Sequence, residues 1–276
     1  MHIDSHHHFW KYSPAEYGWM TDALAVIRRD FGPADLEREI AAAGIDGVVS
    51  VQARQTLEEN DALLAHAESH DFIQGVVGWV PLIDPGVGDD LEKLAQRPKL
   101  KGVRHVLHDE ADDDYMLRPD FNRGIGMLQD LGLVYDILIF EKHLPQTLEF
   151  VDRHPGQAFV VDHVAKPKIR AGEMSPWRER IAELAKRPNV YCKVSGMATE
   201  ADFQAWTPEQ LKPYFETVLS CFGPERLMFG SDWPVCKVAV EYGRWAQIVR
   251  DWVSALSEDE QERILGGTAV EAYKLS

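Results

Sequence analysis

The opening residues MHIDSHHHFW place three consecutive histidines after Ile3-Asp4-Ser5 and before the apolar pair Phe9-Trp10. Imidazoles ligate transition metals and exchange protons near neutral pH. A purification tag carries six or more histidines with a flexible spacer, whereas here only three stand, between Ile3 and the Phe9-Trp10 pair. Side chains alternate along an extended strand, so His6 and His8 share one face and His7 takes the other. Such an i, i+2 pair can bring two ring nitrogens to one cation. Alone the pair is a weak signal, but His163 and Asp232 stand at the ends of two further apolar runs. His6, His8, His163 and Asp232 are therefore the expected metal set, for a divalent ion with zinc first among candidates. Without an ion, the same groups suit a carboxylate base, Asp232, surrounded by imidazoles that position water.

Residues so far apart in sequence need a frame that gathers them. Eight apolar, β-branched runs recur along the chain, at 2–7, 46–53, 73–80, 101–106, 133–140, 158–164, 190–196 and 227–233. Segments of helical spacing separate them; in PADLEREIAAAG, proline opens the helix, Leu36, Ile40 and Ala43 share a face, and Gly44 ends it. Continuous apolar strands alternating with helices predict a parallel sheet covered on both faces. Eight such units predict a (β/α)8 TIM barrel, expected as a single domain over residues 1–276 with one more C-terminal helix on its outside. The competing doubly wound sheet usually carries a glycine-rich phosphate turn after its first strand, and none follows here.

Barrel enzymes work at the C-terminal ends of their strands. Polar residues collect there: His6 to His8, then Gln52 and Arg54, Arg104 and His105, Asp136, Asp162 and His163 followed by Lys166, and Asp232. Arg104 and His105 alternate, so only one faces the mouth. Asp4 shares the parity of His6 and is expected either beside its imidazole or as a buried cap. Asp162 is expected to make a salt bridge on the helix side, and the acidic run 109–115 to be a solvated loop. His108 is grouped with the structural or solvated histidines.

The net charge of −16 argues against nucleic acid or an anionic membrane as partner. No apolar run approaches the roughly 20 residues that span a bilayer. Cys192, Cys221 and Cys236 form no CxxC pair. The cytoplasm is the expected compartment, and oligomeric state is left open.

Asp4-x-His6-x-His8-Phe9-Trp10, Asp162-His163 with Lys166-Pro167, and Gly230-Ser231-Asp232-Trp233-Pro234 resemble the amidohydrolase superfamily, in its branch of sugar-acid lactonases. The likeness runs over essentially the whole chain, including the closing GGTA…Y segment. It implies hydrolysis of a small sugar lactone, L-fucono-1,5-lactone first, with rhamnonolactone or a dicarboxylic-acid lactone as alternatives. The chain departs from fully metal-dependent members, which add a histidine at strand five, where Asp136 stands, and often a lysine or glutamate at strand four, where His105 stands. The resemblance implies a cation that activity need not require.

A lactone needs a deprotonated water, a polarised carbonyl and a proton for the leaving alkoxide. Asp232 and His163 are the expected water-activating groups, and His105 the carbonyl polariser or leaving-group acid. Arg54, Arg104 and Lys166 are candidates for gripping hydroxyls or the product carboxylate. Trp10, Trp79 and Trp233 are candidates for stacking on a sugar ring, against the plainer expectation that they plug the core. Two other functions compete: a metal-dependent nonoxidative decarboxylase, and a binding protein on a decayed barrel.

Overall fold

The computed structural model describes all 276 residues. Eight strands pair in parallel in chain order: β1 (Ile3–His7), β2 (Gly47–Val51), β3 (Ile73–Gly78), β4 (Leu100–Val106), β5 (Val134–Leu138), β6 (Phe159–Val161), β7 (Val190–Val194) and β8 (Leu227–Phe229). Backbone contacts between β1 and the segment after β8 close the ring, His8 N–H donating to Trp233 O and Asp232 N–H to His6 O. The outer ring holds α1 (Pro33–Ala43), α2 (Leu57–Ser69), α3 (Val87–Ala95), α4 (Pro119–Gly126), α5 (Leu144–Asp152), α6 (Trp177–Leu184), α7 (Pro208–Phe222) and α8 (Tyr242–Val253). This is the expected (β/α)8 barrel. Seven of the eight apolar runs contain one strand each and the run at 101–106 matches β4, which begins one residue earlier at Leu100; α1 ends at Gly44 in the left-handed conformation, φ +64°.

Two apolar cores result from strand alternation. Outward residues such as Val48, Val103, Ile137 and Val194 pack under the helices. Inward residues Ile3, Val49, Val51, Val77, Val134, Val160 and Met228 fill the lower barrel. The chain's last helices do not sit outside the barrel as expected. α9 (Glu258–Glu262) and α10 (Thr268–Ala272) flank a wide turn at Arg263–Gly267, and Ala269, Ala272 and Tyr273 join the inner core. The tail thus caps the end opposite the strand C-termini. Tyr273 reaches upward and donates to both carboxylate oxygens of Asp136, at 2.8 and 2.9 Å. Close approach is permitted by Gly266, where a Cβ would lie 2.1 Å from Met1 O. No helix is long and apolar enough to cross a membrane.

One irregularity reorders β1. Its register against β2 shifts between Asp4 and His7, as at a β-bulge. Asp4 therefore turns out of the barrel, accepting from Ser231 N–H at 2.8 Å, Ser231 Oγ at 2.6 Å and Tyr242 Oη at 3.1 Å. It meets His6 only through the backbone N–H, at 3.1 Å, so of the two expectations the buried cap holds.

The anchoring of the tail is testable. Tyr273→Phe removes a hydroxyl that serves a buried carboxylate, at an expected cost of about 2 kcal/mol. Urea unfolding would show it as a lower midpoint at unchanged slope. An unchanged midpoint would mean that the tail is not held through Asp136.

Candidate active site

His6, His8, His163 and Asp232 come together at the C-terminal end of the barrel. His6 Nε2 lies 3.2 Å from His8 Nε2, and Asp232 Oδ1 lies 3.4 Å from His8 Nε2 and 3.8 Å from His6 Nε2. His163 Nε2 stands 4.0 Å from the same oxygen. His8 donates Nδ1–H to Val51 O at 2.8 Å, which leaves its Nε2 lone pair facing the group. The His163 Nδ1 is held by Ser195 Oγ at 2.8 Å. Zinc binds imidazole nitrogen and carboxylate oxygen at about 2.0–2.2 Å, so tetrahedral ligands lie roughly 3.3 Å apart. The His6–His8 and His8–Asp232 separations match that edge length, and the His6–Asp232 separation, 3.8 Å, is somewhat longer.

The chain conformation that brings them together is unusual. A regular strand would turn only one of Asp162 and His163 inward. β6 instead stops at Val161, and His163, Val164, Ala165 and Lys166 all take positive φ, between 45° and 59°. Asp162 then completes the strand's inward face while the left-handed turn swings His163 in above it. Asp232 has φ +59° as well. Each such L-residue costs about 1–2 kcal/mol, the kind of strain held at functional sites. Gly196, φ +61°, makes room: a Cβ there would lie 2.6 Å from His163 Cγ.

Below the imidazoles lies a layer of charge in which Asp162 corrects the helix-side expectation. Asp162 is fully buried inside the barrel, 2.9 Å from Arg104 Nη1, 3.0 Å from Lys193 Nζ and 3.2 Å from His6 Nδ1. Lys193, in mid-β7, also reaches Asp136 Oδ2 at 2.5 Å and His6 Nδ1 at 3.1 Å. Sequence reasoning missed Lys193. Its signal was a lysine in the middle of an otherwise apolar strand, which is costly unless paired.

Burial sets the protonation of the centre. It pushes the His6 imidazole well below its ordinary value and His163 down to about 4, so both are neutral at pH 7. Burial alone would raise Asp232, but His163, His8 and His6 outweigh it and hold the carboxyl below its usual range. Asp162 is likewise held ionised against burial, chiefly by Lys193 and His6.

The cavity above, about 260 Å³, suits a single-ring ligand rather than a drug-sized one. Its polar lining comprises His8, Arg104, His108, Asp109, His163, Lys166 and Asp232. Trp10, Trp19, Ala53, Val106, Leu138 and Val235 supply the apolar part. Arg104 thus occupies the place expected of His105. Arg104 and Val106 share the inner face of β4, while His105 turns outward, donates Nε2–H to Glu110 Oε1 at 2.6 Å and stacks on Tyr115. Trp79 goes with it, its Nε1–H pointing at His105 Nδ1, 3.3 Å away. Arg54 is tied to Glu59 and Glu16 and does not line the cavity. Trp233 is a core plug against Phe31 and Phe9. Lys166 lines the wall while paired with Glu200 at 2.8 Å. The expectation for His108 is corrected, since it faces the cavity beside Lys166. Trp19, half-exposed at the rim with its ring edge-on to Trp10, was also missed.

At its strand ends the (β/α)8 barrel gathers histidines and an aspartate whose spacing could hold a divalent ion or orient water. The chain belongs to the amidohydrolase family, whose model matches residues 3–275. It is 38% identical to an L-fucono-1,5-lactonase of Burkholderia ambifaria, over 99% of this chain and 95% of that one. An L-rhamnono-gamma-lactonase of Scheffersomyces stipitis is 25% identical over 71% of this chain and 67% of its own. A crystal structure of a Burkholderia multivorans amidohydrolase with bound zinc superposes with a TM-score of 0.96 at 38% identity, covering 100% of both chains.

Two outcomes test this geometry. Gly196→Ala should displace the His163 ring and lower both stability and turnover, whereas Gly172→Ala, also at positive φ but with nothing within 4 Å, should cost only backbone strain. His163, depressed from about 6.5 to about 4, contributes stability that is complete above pH 6.5 and is lost as pH falls through 4. In chelator-treated protein, the wild type should lose up to roughly 3 kcal/mol more than His163→Asn between those limits. Parallel losses in urea titrations at each pH would contradict the assignment.

Proposed function

We propose that this protein opens a sugar-acid 1,5-lactone to its aldonic acid, with L-fucono-1,5-lactone the leading substrate. The observation that carries the reading is the convergence of an ionised carboxylate, Asp232, with the neutral imidazoles of His6 and His163 at a one-ring cavity walled by Arg104 and Lys166. The 38% identical lactonase relative supports the substrate class.

In this reading Asp232 accepts a proton from a water that His8 and His163 orient. The hydroxide equivalent attacks the lactone carbonyl carbon. Arg104 faces the cavity and stabilises the negative charge that develops on the carbonyl oxygen, the part first expected of His105. As the ring C–O bond breaks, the proton held by Asp232 passes to the departing alkoxide oxygen. Lactone and water thus become one hydroxy acid, with the carboxyl proton released to solvent. The apolar walls, Trp10 and Trp19 among them, receive the ring face, and Lys166 and His108 meet its hydroxyls. When a divalent ion such as zinc is held by His6, His8 and Asp232, it supplies Lewis acidity toward water or carbonyl.

The decisive assay is proton release from a stereochemically complete set of 1,4- and 1,5-lactones, including rhamnonolactone, with and without chelator. No acid from any lactone at neutral pH would refute the proposal. Asp232→Asn should lower kcat by about 10²–10⁴. Arg104→Met should lower kcat/KM strongly while His105→Asn, which keeps a polar group beside Glu110, leaves it within a few-fold; the reverse order would return the polarising role to His105. With His163 neutral down to about pH 4, the acid limb of kcat/KM should fall near 4. A limb at 6.5 would mean that an ordinary exposed histidine controls the rate.

A further inference from the structure

Lys193 is a fully buried cation that the hydrolysis above does not use. Its ammonium has three donors and three neighbours: Asp136 Oδ2 at 2.5 Å, Asp162 Oδ1 at 3.0 Å and His6 Nδ1 at 3.1 Å. The third contact bears on the cation donors, because a neutral imidazole carries one proton. If His6 Nδ1 accepts from Lys193, the proton resides on Nε2, the nitrogen that faces His8 and Asp232. His8 Nε2, 3.2 Å away, is the acceptor for that Nε2–H. Arg104 Nη1 points at the same His6 nitrogen from 3.4 Å, but this is the longer contact, and Nη1 already donates to Asp162 Oδ2 at 2.9 Å, so the closer Lys193 contact sets the tautomer. The chain Lys193 to His6 to His8 to Val51 O is then a closed run of donors and acceptors. If instead His6 Nε2 is to ligate an ion, its proton must move to Nδ1, toward Asp162 Oδ1 at 3.2 Å. That contact lacks hydrogen-bond alignment, and Asp162 Oδ1 is left without an aligned donor, whereas the Lys193 contact is aligned.

We infer that Lys193 is a positioning residue that fixes the His6 tautomer with Nε2 protonated and thereby holds down the affinity of His6, His8 and Asp232 for a divalent ion. Asp162 acts in the opposite sense, as the acceptor that the ion-binding tautomer requires. Placing a positive charge against the ring of a ligand adds direct repulsion of the ion. The inference rests on the proposed assignment of these three residues as cation donors and is independent of the lactone.

The test is a zinc titration against a chromophoric chelator at pH 7.5. Lys193→Met alone leaves two buried carboxylates sharing one cation and risks misfolding. The pair Lys193→Met with Asp136→Asn removes one charge of each sign, so the net charge of the barrel interior is unchanged. Zinc should bind the double variant at least tenfold more tightly than the wild type, and Asp136→Asn alone no more tightly than the wild type. In the chelator-treated wild type, nitrogen-15 spectra should show His6 protonated at Nε2; in the double variant the proton should move to Nδ1. A folded double variant with unchanged or weaker zinc affinity, or a wild type protonated at Nδ1, overturns the inference. A merely structural lysine would move neither readout in that direction. Should every lactone prove inert while zinc affinity rises, the functional proposal fails and this one stands.

Discussion

The structure depends on one arrangement: two basic and two acidic side chains neutralising each other inside a sealed barrel. Lys193 and Arg104 face Asp136 and Asp162, all at most 4% exposed. Desolvating such ions costs several kcal/mol each, and the attraction between partners repays it only when geometry and hydrogen bonds are good. Their presence is therefore better explained by what they position than by stability. Arg104 fixes Asp162, Asp162 and Lys193 bracket His6, and Tyr273 completes Asp136 from below. A polar column thus runs from the C-terminal cap to the reaction centre. The tail's inward placement follows from it, because the lower barrel needs both an apolar floor and a hydroxyl for Asp136.

Above the column, the two groups nearest the chemistry sit on strained backbone. Four consecutive left-handed residues from His163, and Asp232 beyond β8, are conformations that the local sequence disfavours. Surrounding contacts enforce them: the Trp177 indole donates to Val164 O, and Trp245 to Gly230 O. Helix-layer tryptophans therefore hold the turns that aim the site. The outer core and the catalytic end are coupled mechanically, not merely stacked.

Much of this was legible in the sequence where the signal was local. Eight buried strands announce themselves as apolar runs, and an HxH pair or a GSDWP turn needs only its neighbours to be read. What escaped depends on distant partners. Parity along β4 could say that Arg104 and His105 differ, but the choice rests on which face the closed barrel turns inward. Asp4 has the parity of His6, yet a bulge reverses it. Adjacent Asp162 and His163 both enter the interior because the strand ends between them. Trp79 and Trp233 have the composition of platforms and the positions of plugs, whereas Trp19 lies on a loop whose path no periodicity reveals. Lys193 escapes because a lone lysine in an apolar strand has no local partner to mark it; Asp136 and Asp162 arrive from β5 and the end of β6.

Electrostatics also bears on how a lactonase would release its product. The substrate of such a reaction is neutral and its product an anion. An unpaired cation in the wall would stabilise the charge developing on oxygen but would hold the product carboxylate just as firmly. Here both wall cations are already paired, Arg104 with Asp162 and Lys166 with Glu200. Each retains enough donor capacity to meet a carbonyl oxygen in a small cavity with apolar walls, where a preorganised dipole counts most. Neither offers a free charge to a carboxylate once water returns. The chain's overall −16 charge acts in the same direction, repelling an anion that has left the mouth. Binding energy is thus placed on the transition state rather than on the product, which is the condition for turnover.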